Sequence, residues 1–133
     1  MNVVVTLPKK LINAIIDGRK SFEMRSWCPR KLRVKEDGFF CVEKGTKNVH
    51  CWCRVDRFLV PIDYEGFWKA HGERLCVSKE WYDKYVQGRK YVRIWCIGKV
   101  IKFEKTLSLD KDLFVDRAPQ SYVYTPLSYG ECF

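Results

Sequence analysis

Histidine, proline and glycine are scarce in this 133-residue chain, with two, five and eight copies, and long apolar runs are missing altogether. No stretch approaches the roughly 18 apolar residues of a membrane-spanning helix, and the apolar run Val3 to Val5 is far shorter than a secretory leader, so a cytoplasmic protein without membrane contact is expected. Neither His50 nor His71 sits in a motif, so no mechanism is built on them. The chain has seven cysteines but no C-x2-4-C pair. Cys51 and Cys53 would share a strand face and could join His50 or His71 at a metal, yet structural zinc wants four ligands from recognisable pairs. Packed free thiols in a reducing compartment, with neither metal nor cofactor, are the expectation. Repeats, low-complexity tracts and linkers are also lacking, which leaves one domain over residues 1–133, large enough to bury a core of its own.

Acidic residues are few where basic ones are dense. The chain carries 25 Lys and Arg against 16 Asp and Glu, a net charge of +9. Residues 1 to 35 hold nine of those bases and two of the acids, an excess of seven, and the other 98 residues contribute the remaining two. A local excess of this kind steers polyanions toward one part of the surface. Hydrophobic residues at 47% and charged ones at 31% are ordinary for a folded domain.

The apolar pattern gives the order of elements. Val3 to Leu7 reads as a strand ended by Pro8, and Lys9 to Asp17 as an amphipathic helix with Leu11, Ile12, Ile15 and Ile16 on one face. Gly18 supplies the left-handed residue that closes such a helix. Phe22 to Trp27 reads as a second strand, with Phe22 and Met24 on one face and Ser21, Glu23 and Arg25 on the other. The basic turn Cys28-Pro-Arg-Lys31 contributes Arg30. Phe39 to Glu43 and Val49 to Leu59 form a hairpin around Lys44 to Lys47, with Val49, Cys51, Cys53 and Val55 sharing a face. Tyr64 to His71 is a short helix, and Ser78 caps a further helix to Gly88 whose Trp81, Tyr82 and Tyr85 are expected in the core. Tyr91 to Phe103 is a long strand with a bulge or bend at Gly98. The tail from Leu107 is read as irregular, with one helical turn between Leu109 and Val115. The fold class is therefore α+β, a small curved mixed β-barrel with two or three flanking short helices; an OB-like barrel fits the same pattern.

Gly18, Lys20, Glu23 and Arg25 spell G-x-K-x-x-E-x-R at the junction of a helix and a strand. Together with Ser78 to Gly88 as a second helix and Ala118-Pro-Gln-Ser121 as a closing segment, this order resembles the ASCH domains, a branch of the PUA-like superfamily, over about Val3 to Tyr124. The resemblance implies a PUA-like mixed barrel and a cleft that holds single-stranded or modified RNA. It places Lys20, Glu23, Arg25, Gln120 and Ser121 at that cleft, with Arg19 and Arg30 adding positive charge and Trp27, Tyr122 and Tyr124 offering rings for unstacked bases. Arg25 can fork to a phosphate or base edge while Glu23 orients it or accepts from an exocyclic amine.

The same family includes hydrolases, so an enzyme acting on RNA or on a modified nucleoside is the alternative. Amidohydrolases that deacetylate N4-acetylcytidine use a lysine, a threonine three residues later and a distant glutamate. Lys20 matches the lysine and Glu73 loosely matches the glutamate, but Glu23 stands where the threonine belongs, and a carboxylate cannot serve as that hydroxyl nucleophile. A ribonuclease would need an acid, a base and a cation, which Lys20, Glu23 and Arg25 could supply.

Overall fold

The computed structural model describes residues Met1–Leu127; Cys132 and the end of the expected domain range lie outside the described residues. Six strands, β1 (Val3–Leu7), β2 (Phe22–Arg25), β3 (Gly38–Glu43), β4 (Asn48–Leu59), β5 (Arg93–Ser108) and β6 (Tyr122–Tyr124), form one mixed sheet in the order β2-β5-β4-β3-β1-β6. Only β1 and β3 run parallel; every other neighbouring pair is antiparallel. The sheet curls into a half-barrel flanked by three helices, α1 (Lys9–Ile16), α2 (Tyr64–His71) and α3 (Lys79–Gln87). The six-stranded sheet, in this order, does not fit a five-stranded OB barrel.

The unbroken run Val3-Val4-Val5 follows from burial on both sides of the sheet. Val3 and Val5 pack with α1 residues Ile12 and Ile15 and with Phe39, Cys41, Cys51, Cys53 and Trp95. Val4 faces the opposite layer, with Phe40, Val42, Trp52, Leu109, Leu113 and Val115. The tail read as irregular is thus part of the core: Leu109 and Leu113 cover the second face, and Tyr122–Tyr124 adds an edge strand to β1. A third cluster joins Phe22, Met24 and Ile94 to Leu75 and Tyr82, which ties α3 to the β2 end of the sheet.

Bulges account for most departures from simple alternation. The pairs Cys41↔Cys51 and Val42↔Val49 leave His50 as an extra residue, so Val49 packs in the Val4 layer rather than with Cys51 and Cys53 as expected. Cys53↔Val100 and Val55↔Ile97 place a second bulge at Gly98, where the glycine was expected to bend the strand. Beyond that bulge β5 continues to Ser108, past the expected end at Phe103, and β2 stops at Arg25, two residues short of Trp27.

Candidate nucleic-acid interface

A cavity of about 560 Å³ opens where α1, β2, α3 and the closing segment converge. That volume lies within the range of small-molecule sites. Leu7, Pro8, Leu11 and Val77 supply apolar walls, Thr6, Ser26 and Ser78 supply hydroxyls, and Lys10, Trp81, Tyr85 and Arg89 line it from the two helix sides. Lys20, Glu23, Arg25, Gln120 and Ser121 also line it, so five sequence-predicted residues meet in one place.

Gly18 creates the site's geometry. Its φ of +88° turns the chain out of α1, and the Lys20 amide then donates back to Ala14 O at 2.9 Å. Lys20 is consequently drawn inward, with 2% of its surface exposed. Its ammonium donates to Phe22 O at 2.7 Å and Leu75 O at 2.8 Å, and lies 3.2 Å from Glu23 Oε1. Those three contacts use all three of its donors.

Glu23 sits between two cations. Arg25 Nε donates to its Oε2 at 2.7 Å while Lys20 holds Oε1. Burial alone pushes the Glu23 carboxyl up, but the charges of Arg25 and Lys20 and their hydrogen bonds outweigh it and hold it below its ordinary value of 4.5. The carboxylate is therefore ionised at neutral pH and acts only as an acceptor. The shared face of Glu23 and Arg25 expected from the alternation along β2 is present, and the two form an ion pair whose carboxylate is buried.

Arg25 also fastens the half-barrel. Its Nη1 donates to Ser121 O at 2.9 Å and its Nη2 to Thr6 O at 3.2 Å. Since β2 and β6 are opposite edges of the sheet, one guanidinium links the β2 edge to β1 and to the residue just before β6. Thr6 Oγ1 donates to Pro119 O at 2.7 Å, which anchors the closing segment at a second point.

The other predicted residues lie elsewhere. Arg19 is exposed and paired with Asp17, its Nε 2.8 Å from Asp17 Oδ2. Arg30 is exposed, and Trp27 stands 54% exposed against Tyr91. The Tyr124 hydroxyl accepts from the Lys31 amide at 3.1 Å, and Tyr122 packs edge-on against Trp95. Glu73 lines a separate shallow hollow with Trp68, Lys69, Gly72 and Val77. Sequence reasoning missed Lys10, Trp81, Tyr85 and Arg89. The expectation that α3's aromatic stripe is core holds for the buried Tyr82 and in part for Tyr85, which packs against the same cluster; Trp81 is exposed, and it stacks on Tyr85 four residues along, at 5.0 Å on the cavity side. The i, i+4 spacing carried that signal, whereas Tyr82 is one residue round the helix.

Away from the cavity, the Cys41, Cys51 and Cys53 sulfurs lie within 4.8 Å of one another, all buried. Three soft donors are one short of a tetrahedral zinc set. Sulfhydryl donation from Cys41 and Cys53 lowers the Cys51 thiol to about 4, while burial raises its two neighbours. His50 instead contacts Lys9 Nζ at 3.3 Å and Glu43 Oε1 at 2.8 Å, and His71 packs on Phe22 and Phe67.

Among the described residues, no helix is long and apolar enough to cross a membrane. No family model and no curated protein matches the chain. Solved structures do. The ASCH protein from Zymomonas mobilis superposes with a TM-score of 0.77 at 18% identity, covering 98% of this chain and 90% of that one. A serine-to-alanine variant of it gives 0.78 at 18% identity over 98% and 91% of the two chains. A tyrosine-to-phenylalanine variant gives 0.76 at 19% identity over 98% and 93%. The half-barrel, its three helices and its closing segment together have the fold of an ASCH domain.

Proposed function

We propose that the protein is a cytoplasmic RNA-binding domain that holds one unstacked base or modified nucleoside of single-stranded RNA in this cavity. The observation that carries the reading is the composition of the cavity: an ionised, buried acceptor at its floor and unpaired cations and aromatic rings at its rim. Glu23 uses one lone pair on each oxygen for Lys20 and Arg25, which leaves acceptor capacity for an exocyclic amine on a base edge. Trp81 supplies a stacking face, with Tyr85 stacked behind it. Lys10 and Arg89, neither of them in an ion pair among the described residues, supply the attraction for phosphate.

Binding without turnover is favoured over the hydrolase alternative by the same geometry. Lys20 has no free donor, Glu23 stands in place of a hydroxyl nucleophile, and Glu73 lines a different hollow. The test is a titration of end-labelled single-stranded RNA at two salt concentrations on parallel native and denaturing gels. A salt-sensitive shift with intact RNA is expected. Lys10→Gln and Arg89→Gln should each reduce the slope of log affinity against log salt by about 0.7. Salt-independent binding, or slopes that neither substitution changes, would remove the cavity from the reading; RNA fragments that disappear with Lys20→Met would establish the hydrolase instead.

A further inference from the structure

We infer that a second, base-stacking subsite lies outside the cavity on Trp27, braced by Tyr91, and takes the nucleotide adjacent to the one inside. The ligand is then an oligonucleotide of single-stranded RNA, not a free nucleoside. This rests on the cavity reading above and extends it.

Trp27 is 54% exposed, yet its backbone is tied to the core. Its carbonyl accepts from the Trp95 indole at 3.0 Å, and Trp95 is fully buried in the core. Tyr91 supports the ring at a centroid distance of 5.1 Å and a tilt of 45°. A base cannot enter between rings already in contact, so the outer face of Trp27 is the platform. Two cations lie beside the supporting ring: Arg93 and Lys90 are 5.5 and 5.4 Å from the Tyr91 ring centre, and among the described residues neither is in an ion pair with a carboxylate. An exposed indole anchored through its own carbonyl, with two unpaired cations beside the ring that supports it, suits a stacked base and its phosphate.

The platform is continuous with the cavity. Ser26, the residue before Trp27, lines the cavity and accepts from Arg89 Nε at 3.1 Å. Arg89 lies over Tyr85 at 3.7 Å, and Tyr85 stacks with Trp81. The rings of Trp81 and Tyr85, the Arg89 guanidinium and Ser26 therefore follow one another from the cavity wall to Trp27. An acidic peptide would use the cations but has no need for the stacked rings.

Affinities of fluorescently labelled mononucleotides and of two-, four- and eight-nucleotide single-stranded RNAs, measured by anisotropy, test this. For the unaltered protein, affinity should rise about tenfold or more from mononucleotide to short oligonucleotide. Trp27→Ala should erase most of that rise and leave mononucleotide affinity unchanged, while Trp27→Tyr, which keeps a ring, should retain it. Tyr91→Ala should lose part of the rise. If the unaltered protein binds mononucleotides with no gain on lengthening, or if Trp27→Ala keeps the gain, the subsite falls and the cavity reading stands. A Trp27→Ala protein that weakens mononucleotide and oligonucleotide alike overturns it as well. If no nucleotide binds, both readings fall together.

Discussion

Glu23→Gln isolates the buried charge that organises the site. Glutamine preserves the shape of the side chain, but its one carbonyl oxygen can accept from only one of the two cations, and its NH₂ faces the donors of the other. One buried cation, the Lys20 ammonium or the Arg25 guanidinium, is then left without its counter-ion at a residue 5% exposed. Removing one partner of a buried pair typically costs about 3–5 kcal/mol. The lower end applies, because Lys20 keeps two carbonyls and Arg25 keeps Ser121 O and Thr6 O. With a urea slope of about 2 kcal/mol per molar, a loss of about 3 kcal/mol moves the unfolding midpoint down by about 1.5 M at unchanged slope.

The pH dependence sharpens the test. Glu23 titrates below its ordinary 4.5 in the folded state, so the unfolded chain takes up its proton first as pH falls. Its contribution to stability is full above 4.5 and is lost progressively as pH falls through the folded value. Protonated glutamic acid and glutamine are near isosteres, so the stabilities of the two proteins should approach each other in that acid range. A loss under about 1 kcal/mol at pH 7, or a gap that stays constant below pH 4, would refute the account of Glu23 as a paired, ionised group.

Two other expectations rest on packing. Gly38→Ala would place a Cβ 1.8 Å from the Cys53 carbonyl oxygen on the neighbouring strand, and should cost about 3 kcal/mol or more; Gly98→Ala first meets the side-chain carboxylate of Asp56, which can shift with its Arg54 partner, and should cost less, as paired denaturation curves would show. Alkylation of the native protein followed by peptide mass mapping should label the partly exposed Cys28 and Cys76 and spare Cys41, Cys51 and Cys53 until global unfolding, despite the lowered Cys51 thiol. Native-state labelling of Cys51 at the rate of Cys76 would show that burial does not control its reactivity.

The parts of the fold that were legible from sequence are those where a local rule sufficed. The left-handed turn at Gly18, the Ser78 cap that accepts from the Trp81 amide at 3.1 Å, and the bulge at Gly98 each depend on one residue's own chemistry. The tail was not legible, because the pairing of Tyr122–Tyr124 with β1 and the burial of Leu109 and Leu113 against Val4, Phe40 and Val42 depend on partners more than 60 residues away. Within the site, the alternation along β2 predicted that Glu23 and Arg25 share a face, but not that Lys20 would turn inward. That follows from Leu75 O, which lies 55 positions along the chain and accepts from its ammonium. Arg25 reads from sequence as a free fork, whereas its contacts with Thr6 and Ser121 exist only once the sheet curls.

This internal saturation divides the labour of the site on the RNA reading. The residues that most resemble a recognition motif, Lys20 and Arg25, spend their donors on the protein itself, so they are poor candidates for long-range attraction. Attraction must come from cations with no carboxylate partner, Lys10 and Arg89 at the cavity and Lys90 and Arg93 beside Tyr91. Discrimination falls to Glu23, whose remaining acceptor capacity is fixed by two cations that cannot rotate away. Salt should therefore weaken every RNA by a similar factor while leaving preference among bases nearly unchanged, since phosphate contacts carry the counterion term and base-edge contacts do not. Charge reversal at Arg25 would confound the two effects by unfastening the closing segment, and Arg89→Gln would also release Ser26 and Tyr85, whereas Lys10→Gln changes the attraction alone.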